Sequence, residues 1–95
     1  QPDWALEWEM SATPADLERG LRAAFPGAVA GGPLDFQIAQ DDAVMQVALR
    51  PGAERVIAGL RLPTLRVHLG FTAGGLGTRD RMLARLELAL RRGGG

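Results

Sequence analysis

Residues 34–50, LDFQIAQDDAVMQVALR, hold two runs of alternating apolar and polar residues on either side of Asp41 and Asp42. A period of two is typical of a strand with one buried face, and an acidic pair between two such runs is typical of a tight turn. The stretch therefore predicts a β-hairpin. Alternate apolar residues form its inward side: Leu34, Phe36, Ile38, Met45, Val47 and Leu49.

Two further segments, residues 4–10 and 65–72, have the same period and predict two more strands. Their inward sides are Trp4, Leu6, Trp8 and Met10 in the first segment and Leu65, Val67, Leu69 and Phe71 in the second. The stretch between the hairpin and the last strand is ambiguous. Within residues 55–62, the spacing of Val56, Ile57 and Leu60 permits a helical turn, and an extra edge strand is the alternative.

Two helices are predicted from their start and stop signals. The first follows Thr13 as N-cap, has Pro14 in its first turn, and ends before Pro26. The second is expected to begin at Thr78 as N-cap, with Asp80 in its first turn. Helical spacing predicts two buried faces, formed by Leu17, Leu21, Ala24 and Phe25 in the first helix and by Met82, Leu83, Leu86, Ala89 and Leu90 in the second. Leu88 lies off this second face.

The predicted element order is β-α-β-β-β-α. We expect a single α+β domain over residues 1–95, built as a two-layer sandwich in a ferredoxin-like or related arrangement. A four-stranded, mainly antiparallel sheet would carry both helices on one face and leave its other face bare. Residues 93–95, all glycine, would form a flexible tail.

The composition excludes several classes of protein. The chain has no cysteine, which rules out disulfides, thiolate catalysis and Cys-based metal sites. Its uncharged runs are far shorter than the roughly 20 residues that span a bilayer. Lys, Asn and Tyr are absent while Ala, Gly, Arg and Leu are abundant, which indicates a bacterial, GC-rich genome. We expect a cytoplasmic protein, and since the first residue is Gln1, a removed signal peptide stays open.

Charge is divided unevenly along the chain. Residues 1–54 hold nine acids and three arginines, whereas residues 55–95 hold eight arginines and two acids, and the net charge is zero. Such a division can attract a partner of unlike surface or a second copy of the chain, so a homodimer is one expectation. Because the acids concentrate on the bare sheet face and the arginines on the last helix, the sequence predicts a front-to-back dipole.

The glycine-rich turn before the last helix is a candidate anion site. Backbone N–H groups at a helix N-terminus, together with nearby arginines, favour phosphate groups. The residues in question are Gly75, Gly77, Thr78, Arg79, Arg81 and Arg85. The chain contains no lysine and has neither the P-loop nor the dinucleotide-binding glycine pattern.

From the first helix onward, the predicted order α-β-β-β-α, with Arg79, Arg81 and Arg85 at the start of the last helix, resembles the double-stranded RNA-binding domain family. The resemblance implies RNA binding by these arginines. The sequence departs from that family in its Asp41–Asp42 turn, where the family has a Gly-Pro-His type loop, and in the strand that precedes the first helix.

The single histidine, His68, is predicted on the bare sheet face with Glu7, Glu9 and Arg66. A histidine with two carboxylates could bind a metal or act as a base if the first and last strands are neighbours. One serine and one histidine supply no catalytic triad, so we expect no enzyme and no cofactor. The leading expectation is a non-enzymatic interaction domain that binds a protein partner through its bare sheet face or its last helix. Phosphate or RNA binding and a metal site at His68 are the alternatives.

Overall fold

The structure is a computed structural model that describes the backbone of residues 3–93 and the side chains of residues 6–91. It contains seven strands and two helices within these residues. Their bounds are β1 Asp3–Met10, α1 Pro14–Ala24, β2 Val29–Gly31, β3 Asp35–Gln40, β4 Ala43–Pro51, β5 Arg55–Ile57, β6 Leu60–Leu62, β7 Leu65–Ala73 and α2 Leu76–Gly93.

The main sheet has five strands in the order β1-β7-β4-β3-β2, and every neighbouring pair is antiparallel. The prediction of an α+β fold with a mainly antiparallel sheet and two helices is confirmed, but the prediction of four strands is wrong. The extra strand, β2, has only three residues, which is too short for alternation to be recognised. A ferredoxin-like order is not confirmed, since no helix lies between β2 and β7.

Residues 55–62 form a separate two-stranded sheet, which we call the arm. Strand β5 pairs with β6 across Ala58 and Gly59, which both have positive φ (50° and 84°), as the tight turns of two-residue hairpins require. The helical alternative for this segment is therefore wrong. The alternative of an extra edge strand is correct in that the segment is extended, but the arm joins no strand of the main sheet among the described residues. At its base, the Gly52 N–H donates to the Thr64 carbonyl (3.0 Å) and the Thr64 hydroxyl donates to the Ala53 carbonyl (2.6 Å).

The core lies between one face of the main sheet and the two helices. Its members include Phe36 and Ile38 from β3, together with the predicted inward residues of β4 and β7. The helices contribute Leu17, Leu21, Ala24, Phe25, Met82 and Leu86, and Trp8 and Met10 of β1 pack against this core from its edge. Burying each large apolar side chain contributes about 1.5–3 kcal/mol, so this cluster is what holds the two layers together. The predicted inward faces of both helices are confirmed.

The ends of the helices depart from prediction only in α2. At α1 the Thr13 hydroxyl accepts the Asp16 N–H (3.2 Å) and the Asp16 carboxylate accepts the Thr13 N–H (3.1 Å), a capping box that confirms the predicted start. Helix α2 begins at Leu76, two residues before the predicted cap, and runs through Gly93. Of the predicted glycine tail, Gly94 and Gly95 lie outside the described residues. No helix in the described part of the chain has the length and apolar character needed to cross a membrane.

Candidate functional site

The N-terminus of α2 is occupied by a carboxylate from the chain itself. The turn between β3 and β4 places Asp42 beside it, and the Gly75 N–H donates to Asp42 Oδ2 (3.3 Å). Hydrogen bonds from the Thr78 side chain and from the Gly75 backbone lower the pKa of Asp42 below its ordinary value. Thr78 is buried within the helix and does not cap it. Asp42 therefore stands where the sequence predicts a bound phosphate.

The three arginines of the predicted anion site each contact the body of the domain. Arg79 Nε donates to the Gly74 carbonyl (2.9 Å), and its guanidinium lies 5.1 Å from the centre of the Phe71 ring. Arg81 Nη2 donates to the Thr78 hydroxyl (3.2 Å).

Arg85 follows the same pattern. Its Nη1 donates to Gln40 Oε1 (3.0 Å), and its guanidinium lies 5.8 Å from the centre of the Phe25 ring. All three arginines thus connect α2 to the sheet or to its own first turn. The likeness of order to the double-stranded RNA-binding domain is also lost, because six strands separate α1 from α2.

On the open sheet face, β1 and β7 are neighbours, as the His68 hypothesis requires, with Glu7 opposite His68 and Glu9 opposite Arg66. Arg66 takes the central place. Its Nε lies 3.0 Å from Glu7 Oε2 and its Nη2 lies 3.7 Å from Glu9 Oε2, while His68 Nδ1 lies 3.7 Å from Glu7 Oε1. Within the described residues, no three His, Asp or Glu side chains are grouped so as to hold a metal. A guanidinium therefore sits between the two carboxylates that the sequence predicts as ligands.

Charges on the open face offset one another. Beside the Arg66 pairs, Arg50 Nη1 lies 3.4 Å from Asp35 Oδ1, and strand pairing sets Arg50 directly opposite Arg66. Alternation along β4 from Val44 also predicts Arg50 on this face, but only the strand order shows that two arginines meet there. The predicted front-to-back dipole is accordingly reduced, because two arginines accompany the three acids of this face.

Three exposed large apolar side chains lie close together in sequence on the arm. Val56, Ile57 and Leu60 have 62%, 50% and 65% of their surface exposed. Ile57 pairs with Leu60 across the arm, so these two side chains lie on one side of it, with Arg61 and Val56 on the other. An isolated two-stranded hairpin is at best marginally stable in water, and clustered exposed apolar side chains mark interaction surfaces. No site was predicted here from the sequence, since the same residues also fit a helical turn.

A second apolar surface follows the free edge of β1. Strand β1 ends the main sheet, so one of its sides pairs with no described strand. A shallow groove runs between this side and the C-terminal part of α2. It combines an apolar floor with a mainly acidic rim and is lined by Glu7, Trp8, Glu9, Met10, Glu87, Leu90 and Arg91. We call it the edge groove.

Outside the arm, two leucines of α2 are also exposed. Leu88, which the sequence places off the buried face, is half exposed, and Leu76 in the first turn is 78% exposed. Neither adjoins another exposed large apolar residue on the helix. Comparisons with protein-family models, with curated proteins and with solved structures found no match for this chain.

Proposed function

We propose that this chain is a non-enzymatic protein-interaction domain and that the arm is its binding surface. The observation that carries the proposal is the exposure of Val56, Ile57 and Leu60 on a hairpin that pairs with no strand of the main sheet among the described residues. Burying these side chains against a partner would contribute about 25 cal/mol for each Å² removed from water.

Hydrogen bonds close the base of the arm, which lowers the cost of ordering it on binding. The segments that lead into and out of the arm are joined by the hydrogen bonds of Thr64 with Gly52 and Ala53, and a Cβ added at Gly52 would lie 2.7 Å from Thr64 Oγ1. A preorganised surface loses little conformational entropy when it binds. The arm thus offers a hydrogen-bonded apolar strand pair to a partner.

The surfaces expected from the sequence are less suited to this role. The acids of the open sheet face already have arginine partners, and on α2 the exposed Leu88 has only small or charged neighbours. Phosphate or RNA binding at α2 ranks second, because an added anion would have to displace Asp42. A metal at His68 would compete with Arg66 for the same carboxylates. A cytoplasmic location remains a prediction.

The proposal is tested by placing a photo-crosslinking amino acid at Leu60 in cells that produce the chain. Leu88 tests the last helix as the alternative surface, and Leu76 serves as the matched control because it is a leucine away from the arm that is even more exposed than Leu60. We expect a discrete protein adduct from position 60 and none from position 76. Adducts from position 88 alone, or from none of the three, would contradict the arm as the binding surface.

A further inference from the structure

We infer that the partner of the arm is a second copy of this chain, whose edge groove receives strand β6. This inference rests on the proposed function and adds the identity of the partner. It is carried by two strands that match each other in apolar pattern and in charge: β1 of the edge groove lies in the acidic part of the chain, and β6 of the arm lies in the basic part.

Both surfaces have an unpaired strand edge. In the two-stranded arm, β6 pairs only with β5, and in the main sheet β1 pairs only with β7, among the described residues. Edges of this kind carry free backbone N–H and C=O groups and are templates for pairing with another strand. Pairing β6 of one copy with β1 of another would satisfy both edges at once.

The side chains on the two edges are complementary in sequence. Strand β6 reads Leu60-Arg61-Leu62, and β1 offers alternating apolar and acidic residues over residues 6–10. Side chains alternate between the faces of a sheet, so Leu60 and Leu62 would lie against the apolar floor of the edge groove when Arg61 lies beside Glu7 or Glu9. A shift of one residue would set both leucines on the acidic side, which fixes the register.

The charges are available for this contact. Glu7 and Glu9 share the single arginine Arg66, so an acidic excess remains on this edge. Arg61 pairs with Glu54 (3.0 Å), but both side chains are more than half exposed. An exposed pair of this kind is worth about 0–1 kcal/mol, so Arg61 can exchange its partner at little cost.

The two surfaces also meet within one copy in a way that permits a closed dimer. A cleft between them is lined by Glu9, Met10 and Ser11 at the end of β1 and by Arg55 and Leu62 of the arm. A twofold axis through this region, normal to the sheet, would give two identical contacts and keep both helical layers on the same side. A twofold arrangement of this kind closes, whereas a single arm-to-edge contact would propagate into a filament.

The inference is tested by the mass of the purified chain measured with light scattering over a range of concentrations. The chain has a mass of 10.1 kDa, and we expect a concentration-dependent species of twice that value. The charge reversals Arg61→Glu and Glu9→Arg should each weaken association by about tenfold or more, because each places like charges in contact. Glu9 is preferred to Glu7 because its contact with Arg66 is the longer of the two.

Arg22→Glu is the matched control, since Arg22 also pairs with a glutamate at 3.0 Å but lies on α1. It should leave the mass unchanged, and thermal unfolding should confirm that every variant is folded. A chain that stays monomeric at all concentrations, or association that Arg61→Glu leaves unaffected, would overturn the inference. If a monomeric chain still gave an adduct with a different protein at position 60, the proposed function would stand and only the second copy would be excluded.

Discussion

The carboxylate of Asp42 accepts a hydrogen bond from the backbone N–H of Gly75, which lies 33 residues further along the chain. This contact joins the turn between β3 and β4 to the start of α2. Gly74, the residue before Gly75, lets the two segments lie this close together, because a Cβ added there would lie 2.5 Å from the Cβ of Ala43. One small region therefore fixes the position of α2 and occupies the site at which an external anion would bind.

The Asp42 contact should make stability depend on pH. Hydrogen bonds from Thr78 and Gly75 lower the pKa of Asp42 in the folded state, so the unfolded chain binds its proton first as pH falls. The stabilisation is therefore present above the ordinary pKa of about 3.9 and is lost as pH falls through the folded value. The Tm should therefore fall less between neutral pH and about pH 3 in Asp42→Ala than in the unmodified chain, as measured by thermal unfolding at the two pH values.

Asp16, in the capping box of α1, has its pKa lowered in the same direction, mainly by the hydrogen bond from the Thr13 backbone. Asp42→Ala should still lose some Tm between neutral pH and about pH 3, and this remaining loss of Tm should be smaller in the double variant Asp16→Ala/Asp42→Ala. An equal loss of Tm in the unmodified chain and in both variants would contradict this assignment of the two carboxylates.

Removing Asp42 should also reveal the anion site that the sequence predicts. In the unmodified chain, inorganic phosphate should cause little change in the amide chemical shifts of residues 74–85, because Asp42 occupies the helix N-terminus. In Asp42→Ala, the Gly75 N–H loses its acceptor, and shifts should change in that range. Large, saturable changes in the unmodified chain would instead support phosphate binding as the function.

Substitution of Gly74 should destabilise the domain by more than its backbone conformation explains. Gly74 has φ +112°, and Gly27 has φ +74° with no atom within 4 Å of an added Cβ. Gly27→Ala should cost about 1 kcal/mol from backbone strain alone. Gly74→Ala should cost about 1–3 kcal/mol more, because Ala43 must move. Chemical denaturation measures both, and equal losses would show that the approach of Ala43 is not tight.

His68 should not bind a divalent metal with useful affinity. Arg66 already lies between the carboxylates of Glu7 and Glu9, and a metal would have to displace it. Calorimetric titration with Zn²⁺ should therefore give no saturable heat for the chain, and His68→Ala should give the same trace. Saturable heat that His68→Ala abolishes would restore the metal hypothesis.

Local patterns were enough to predict most elements of the fold. Alternation found the four long strands, and the Thr13–Pro14–Asp16 signal gave the start of α1. Alternation could not find β2, which is three residues long, nor decide the arm, because Val56, Ile57 and Leu60 fit a helical turn as well as two short strands. The positive φ of Ala58, a residue that rarely adopts it, left no signal in the sequence.

The candidate sites were harder to predict because they depend on contacts between distant residues. The sequence predicted Glu7, Glu9, Arg66 and His68 on one face but left open whether their strands are neighbours, and the structure pairs Glu7 with His68 and Glu9 with Arg66. The sequence could not show that Arg66 takes the central position. In the same way, nothing local to the glycine-rich turn indicates that Asp42 reaches it, or that α2 begins at Leu76 instead of Thr78.

The most direct test of the account is the mass of an equimolar mixture of the Arg61→Glu and Glu9→Arg variants. Each variant alone brings like charges together and should associate about tenfold or more weakly than the unmodified chain. In the mixture, each contact again joins opposite charges: the two substituted side chains meet at one contact, and the native Arg61 and Glu9 meet at the other. We predict that the mixture gives a species of twice the 10.1 kDa chain mass, and that the Arg61→Glu/Glu9→Arg double variant does so by itself. A mixture that stays monomeric while the unmodified chain associates would contradict pairing of the arm with the edge groove.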